Sequence, residues 1–139
     1  MLLLDTHVVS ELRKIRSGKA DPQVAEWADG EDPANLYLSA ITIQELTIGV
    51  LRAERKNASR GAVLRAWLDN HVLPTFKGRV LPIDTAVALR GAQLHVPHPR
   101  ALHDGLIAAT ALVHGMTVVT RNTADFAHFG VPLFNPWAA

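Results

Sequence analysis

The sequence contains no cysteine among its 139 residues. This absence excludes a disulfide framework, a thiolate zinc site, an iron–sulfur cluster and a cysteine nucleophile. The chain also lacks an excess of one charge, because 14 Lys and Arg stand against 13 Asp and Glu. Such a balance neither indicates nor excludes nucleic-acid binding. Any catalysis must therefore use oxygen or nitrogen groups, and the missing cysteines are consistent with a reducing cytoplasm.

Long hydrophobic runs are absent as well. The longest apolar stretch, from Gly105 to Val113, is about half of the ~20 residues that a membrane-spanning helix needs. The apolar opening Leu2-Leu3-Leu4 stops at Asp5 and has no basic segment before it, so we expect no signal peptide. We expect one cytoplasmic domain that covers residues 1–139.

Short apolar runs alternate with segments of helical periodicity, a pattern typical of an α/β fold. The predicted strands are Leu2–Leu4, Leu36–Ser39, Val80–Ile83, Met116–Thr120 and Val131–Phe134. The predicted helices are Val8–Leu12, Pro22–Trp27, about Ile41–Arg55, about Ala62 toward Pro74, Thr85–Leu94, Arg100–His114 and Asn122–Ala127. Gly115 suits the C-cap of the helix before it. The pattern predicts a central, mostly parallel sheet flanked by helices.

Acidic residues follow the predicted strands. Asp5 comes directly after the first strand, Glu45 lies one turn into the helix after the second, and Asp125 lies just beyond the strand ending at Thr120. Parallel strands place these ends at one edge of the sheet, where open α/β sheets bind ligands. Asp104 joins them if the loop around Pro97–Pro99 returns the chain to the same edge. Carboxylates so close together stay ionised only beside a cation, and hard oxygen ligands suit Mg²⁺ or Mn²⁺.

A purely structural interpretation of the same residues stays open. Asp5 and Asn122 are candidate helix caps, residues 42–45 match a capping box, and Asp104 complements a helix dipole. Against this interpretation, Glu45 shares a helix face with Ile41 and Ile48. A charge on such a packing face is costly unless it meets a partner or a metal ion.

Basic residues are densest in the middle of the chain. Substrate phosphates need positive charge, and the candidates to supply it are Arg52, Arg55, Lys56, Arg60 and Arg65. The alternative is that these five residues form a solvated helix surface.

Four blocks of sequence, in order along the chain, resemble the successive motifs of PIN-domain ribonucleases. They are Leu3-Leu4-Asp5-Thr6, Leu38 to Leu46 with Gly49, Asp104 to Ala111, and Val119 to Phe126. The ending Asn135-Pro136-Trp137 resembles that of the VapC toxins within the family. The match spans nearly the whole chain, so we expect a PIN-like fold.

The resemblance implies the toxin of a type II toxin–antitoxin pair: a Mg²⁺-dependent endoribonuclease, with Mn²⁺ as a substitute, restrained by a VapB-like antitoxin. It further implies a homodimer and products with a 5′-phosphate and a 3′-hydroxyl. Asp5, Glu45 and Asp104 match the acidic triad, with Asp5 and Asp104 as direct metal ligands, and Asp125 is our choice for the fourth acid. Thr6, Thr120 and Asn122 are expected to support the site by hydrogen bonding.

The sequence departs from the family pattern at two places. His7 stands where the first motif often has Asn, and Asn122 stands where some relatives carry the fourth acid instead of the position of Asp125. His7 is expected to adjust contacts with metal or phosphate.

Three other interpretations remain open. The His103-Asp104 pair, with His95 and His98, resembles the ligands of HD-type phosphohydrolases, although the predicted strands disfavour that all-helical fold. A phosphoaspartyl enzyme would use Asp5 as its nucleophile but would need a second acid at position 7. A non-catalytic PIN-fold binding module is the third, although this chain has kept the acids.

Overall fold

A central five-stranded sheet organises the chain in the computed structural model, which describes residues 1–138. The strands are β1 (Leu2–Leu4), β2 (Leu36–Ser39), β3 (Val80–Leu81), β4 (Thr117–Val119) and β5 (Leu133–Phe134). All pairings are parallel and the strand order is β3-β2-β1-β4-β5. The expected α/β fold with a parallel sheet is confirmed.

Helices form the connections between the strands. They are α1 (Thr6–Leu12), α2 (Pro22–Asp29), α3 (Ala40–Lys56), α4 (Ala58–Trp67), α5 (Leu73–Thr75), α6 (Thr85–Leu94), α7 (Leu102–His114) and α8 (Thr123–Phe126). Single turns of 3-10 helix cover Pro33–Asn35 and Ala127–Phe129, and a π-helical turn covers Leu68–Val72. No helix in the described part of the chain is both long and apolar enough to span a membrane.

The core lies on both faces of the sheet, because successive side chains of a strand point to opposite sides. Leu4 and Val119 pack on one face with residues from α1, α3 and the π-helical turn. Leu3 and Val118 pack on the other face against the small residues of α7. All four strand side chains are fully buried. The continuous apolar runs of the sequence thus reflect a sheet covered on both sides.

Several predicted boundaries were wrong. Strand β3 ends at Leu81, one residue before Pro82, whose nitrogen carries no hydrogen to donate to a sheet. The sequence predicted a longer gap between the helix ending near Arg55 and the next one, but Asn57 alone separates α3 from α4. The Asn57 side chain accepts a hydrogen bond from Arg60 N–H and caps α4. The helix predicted to run toward Pro74 is divided among α4, the π-helical turn and α5.

Two helix caps also differ from the structural interpretation of the sequence. Helix α3 begins at Ala40, and its N-cap is Ser39, which accepts from Ile41 N–H at 3.2 Å. Residues 42–45 therefore form no capping box, and Glu45 is free to make tertiary contacts. The side chain of Asn122 makes no capping hydrogen bond to α8. Asp5, in contrast, does cap α1.

The structure explains why glycine stands at two positions. Gly115 ends α7 with φ of +67°, the left-handed conformation predicted for a C-cap. Gly61 lets α4 approach α3, since a Cβ on Gly61 would lie 2.4 Å from the Cα of Glu54. This glycine therefore allows α4 to pack closely against α3.

Candidate active site

The candidate site lies where the strand order reverses. From β1 the chain proceeds outward through β2 to β3, then returns to the other side of β1 to form β4 and β5. Asp5 follows β1 and Thr120 follows β4, so both residues stand at the carboxyl ends of the two strands that flank this reversal. Such a point is the usual ligand-binding crevice of an open α/β sheet.

Asp5 is buried, and each of its two carboxylate oxygens accepts a hydrogen bond. It is 5% exposed, its Oδ1 accepts from Thr6 N–H at 2.8 Å, and its Oδ2 accepts from Thr120 Oγ1 at 2.8 Å. Thr120 Oγ1 in turn accepts from Asn122 N–H at 3.0 Å. Asn122 thus supports the site through its backbone. Thr6 and Thr120 thus both donate hydrogen bonds to the Asp5 carboxylate.

Burial raises the pKa of Asp5, and the negative charge of Glu45 raises it further. The hydrogen bond from Thr120, the nearby His7 and the Thr6 N–H all act in the opposite direction. The protein therefore stabilises the charged form of Asp5 with donors without fully offsetting the cost of removing it from water.

Two residues distant in sequence, one in α1 and one in α7, contact the carboxylate of Glu45. Its Oε1 accepts from Thr6 Oγ1 at 2.7 Å, and its Oε2 lies 3.2 Å from His103 Nδ1. His103 precedes Asp104 in α7, so the contact joins α3 to the helix that carries the third acid. Sequence reasoning considered His103 only as an HD-type ligand and missed this contact. The only available signal was its position next to a site acid.

Asp104 is the acid on which the charges of the other three act. Burial raises its pKa, and the charges of Asp5, Asp125 and Glu45 raise it further, while His7 lowers it. Asp104 lies in the first turn of α7, and Asp125 is exposed on α8. The four acids predicted from the sequence therefore lie close enough for Asp104 to interact with each of the others.

The acids do not form a closed cage. Within residues 1–138, no three His, Asp or Glu side chains are grouped tightly enough to enclose a metal ion. The donors nevertheless fit a hard divalent cation in their chemistry, because they are carboxylate oxygens whose mutual repulsion a cation would relieve. Asp5 is the most buried of the four.

The predicted basic residues do not act as one surface. Arg65 forms an ion pair with Glu54 at 3.0 Å and lies 4.0 Å from Asp69. A further set is exposed at the C-terminal end of α3: Arg52, Arg55 and Lys56. Arg60 differs from both groups, because it lines a cavity that begins at Glu45.

Two cavities flank the pair formed by Arg13 and Trp67. One, of about 380 Å³, includes Thr6, Glu45 and Arg60 in its lining. The other, of about 590 Å³, is mostly apolar and lined by residues of α1, α4 and the π-helical turn. The larger cavity contains none of the four acids, so it lies outside the candidate site. Sequence reasoning missed both Arg13 and Trp67.

Comparisons with known proteins agree with this geometry. The PIN domain family model matches residues 2–131. Toxin FitB of Neisseria gonorrhoeae is 41% identical over 145 residues, covering 99% of this chain and 99% of that protein. VapC ribonuclease Y4jK of Sinorhizobium fredii is 39% identical over 142 residues, covering 99% and 98%.

Solved structures show the same likeness. The crystal structure of FitAcB from Neisseria gonorrhoeae has a TM-score of 0.89 at 40% identity and covers 100% of both chains. A toxin-antitoxin complex from Klebsiella pneumoniae has a TM-score of 0.65 at 28% identity and covers 98% of both chains.

The chain therefore belongs to the PIN domain family. Within that family its similarity is to the VapC-type toxins, as FitB and VapC ribonuclease Y4jK show. The resemblance of the four sequence blocks is thereby confirmed. The sheet excludes the all-helical HD-type fold.

Proposed function

We propose that this chain is a divalent-metal-dependent endoribonuclease and the toxin of a toxin–antitoxin pair. The supporting observation is that the charges of Asp5, Glu45 and Asp125 all act on Asp104, while Asp5 itself follows a strand at the point where the strand order reverses. Two similar proteins are named a toxin and a VapC ribonuclease. The preferred ion in the proposal is Mg²⁺, with Mn²⁺ as a substitute.

Asp5 and Asp104 are the proposed metal ligands. A divalent cation at this site would polarise a phosphodiester oxygen and lower the pKa of water. The chain itself supplies the orientation: Thr120 and the Thr6 N–H fix the two oxygens of Asp5. Thr6 Oγ1 fixes one oxygen of Glu45. Glu45 is thus positioned to orient a water molecule or complete the ligand set.

The experiment that tests this function is cleavage of RNA by the purified chain after removal of any bound antitoxin. We expect cleavage of a total-RNA pool in Mg²⁺ or Mn²⁺, no cleavage in EDTA, and 5′-phosphate ends on the products. Asp5→Asn and Asp104→Asn should each abolish cleavage. The matched control is Asp29→Asn, because Asp29 is exposed at the end of α2. Cleavage that persists in EDTA, or an active Asp104→Asn variant, would contradict the proposal.

The hydroxyl of Thr6 provides a finer test of the site. Thr6→Val removes the donor to Glu45 Oε1 while conserving shape, so we expect kcat to fall about 10- to 100-fold, the typical cost of losing a hydrogen-bonding partner of a site carboxylate. Thr6→Ser keeps the hydroxyl and should retain most of the activity. Equal activity of the Val and Ser variants would show that Glu45 does not depend on this bond.

The inhibitor in this proposal is a VapB-like antitoxin, since a similar chain occurs in a toxin-antitoxin complex. An arginine of such a partner would suit the carboxylates, because guanidinium and carboxylate groups pair in a bidentate manner. We expect expression of the chain alone to arrest growth and co-expression of the antitoxin to restore it. Normal growth at high soluble expression would contradict the toxin assignment.

A further inference from the structure

The cavity of about 380 Å³ beside Glu45 has features of a ligand site. It begins at Thr6 and Glu45 and extends between α1, α3 and α4 as far as Trp67. Its volume lies at the lower end of the range found for small-molecule sites. Because Glu45 is one of the four candidate acids and lines this cavity, the cavity adjoins the candidate active site.

Positive charge exceeds negative charge in the lining of this cavity. Among residues 1–138, neither Arg13 nor Arg60 forms an ion pair, whereas Arg65 on the same helix as Arg60 is paired with Glu54. Glu45 is the one acid in the cavity lining described by the structure. A phosphate group would therefore find two guanidinium partners here.

An aromatic surface accompanies these charges. The guanidinium of Arg13 lies 5.9 Å from the centroid of the Trp67 ring, so the two side chains form one wall of the cavity. Trp67 is only partly buried. Bases of single-stranded RNA stack on aromatic rings and on guanidinium planes, and such stacking tolerates any base.

We propose that this cavity binds one nucleotide of single-stranded RNA next to the bond that is cleaved, with its phosphate on Arg60 and its base against the Trp67–Arg13 wall. The inference rests on the proposed ribonuclease function. A protein partner would also find this cavity accessible. We favour a nucleotide over a protein partner for three reasons. Arg13 and Arg60 have no ion-pair partner among residues 1–138, the Trp67 ring forms a wall, and Glu45 lines the same cavity.

The test measures binding in EDTA, so that the result does not depend on cleavage. The probe is a fluorescein-labelled RNA pentanucleotide of mixed sequence, and its Kd is measured by fluorescence anisotropy at several salt concentrations. Arg60→Gln should raise Kd about three- to tenfold and reduce the slope of log K against log salt by about 0.7, the loss of one phosphate contact on a single strand. Trp67→Leu should raise Kd at least about fivefold, and Trp67→Phe should restore most of the affinity.

Arg90→Gln is the matched control. Arg90 donates to Gln93 on α6 and does not line the cavity, so the variant loses the same charge elsewhere and should bind RNA as the unmodified chain does. If Trp67→Leu fails to fold, Arg60→Gln still decides, because Arg60 is exposed. Wild-type Kd and salt slope for Arg60→Gln would overturn the proposal, and so would an equal loss in Arg90→Gln.

Two further results separate the alternatives. Variants that keep RNA affinity but lose antitoxin binding would overturn the proposal and assign the cavity to the protein partner. RNA binding that depends on Arg60 and Trp67, in a chain that does not cleave RNA in Mg²⁺, would support the nucleotide site and contradict only the proposed ribonuclease function.

Discussion

Replacing Thr120 by valine isolates the interaction that holds Asp5 in its charged form. Thr120 is fully buried, and its hydroxyl donates to Asp5 Oδ2 at 2.8 Å. Valine has nearly the same shape but no donor, so one oxygen of a buried carboxylate loses its only described donor. A hydrogen bond to a charged group contributes about 1.5–3 kcal/mol. The Asn122 N–H also loses its acceptor, but Asn122 is exposed and water can replace it.

We therefore expect the free energy of unfolding at about pH 7 to fall by about 2–3 kcal/mol, the upper part of that range. In a chain of this size each kcal/mol corresponds to a change of about 3–4 °C in Tm, so Tm should fall by about 6–12 °C. The assay is urea unfolding in EDTA, which removes any contribution from bound metal. Thr120→Ser keeps the hydroxyl and should lose only the contribution of a methyl group, about 1 kcal/mol.

The loss of stability caused by Thr120→Val should depend on pH, and the pKa of Asp5 determines the direction of this dependence. The Thr120 hydrogen bond lowers the pKa of Asp5, so its removal raises that pKa further in the folded state. The destabilisation is then present in full only above the folded-state pKa, and it decreases as pH falls and Asp5 becomes protonated. We expect the difference between the variant and the unmodified chain to be clearly smaller at about pH 4 than at about pH 7.

Thr110→Val serves as the matched control. Thr110 is also fully buried, but its hydroxyl donates to the backbone oxygen of Leu106 at 2.7 Å and touches no carboxylate. Its replacement should cost about 1 kcal/mol or less, because this bond joins neutral groups, and the cost should not vary with pH. Equal and pH-independent losses in Thr120→Val and Thr110→Val would refute the assigned role of Thr120.

Two further predictions concern the stability of the whole chain. Because the pKa values of Asp5 and Asp104 are raised, the folded state binds more protons than the unfolded state, and urea unfolding in EDTA should show stability increasing as pH falls from about 7 to 5. Glu11, whose pKa is lowered, loses its opposite contribution only at lower pH. Gly61→Ala should cost about 2–3 kcal/mol in the same assay, because its Cβ would overlap the backbone of α3. Gly49→Ala, with no atom within 4 Å, should be neutral or stabilising by up to about 1 kcal/mol. A stability that falls from pH 7 to 5, or equal effects of the two alanines, would contradict these assignments.

The sequence by itself was sufficient for the five strands and for the position of Asp5 at the carboxyl end of the first strand. Both follow from local properties: apolar runs of strand length identify buried strands, and Asp5 follows its strand directly along the chain. The ends of the helices were predicted less accurately, because a helix end depends on the capping group of a single side chain. Ser39 rather than Thr42 caps α3, and Asn57 alone separates α3 from α4.

Only the tertiary structure decided how the acids are held. The contacting residues are far apart in sequence: Thr6 and Glu45 are separated by 39 positions, His103 and Glu45 by 58, and Thr120 and Asp5 by 115. Local periodicity carries no information about such pairs, because the sheet order and helix packing bring them together. Arg13 and Trp67 are likewise far apart in sequence and come together only in the folded chain, where the Arg13 guanidinium lies 5.9 Å from the centroid of the Trp67 ring.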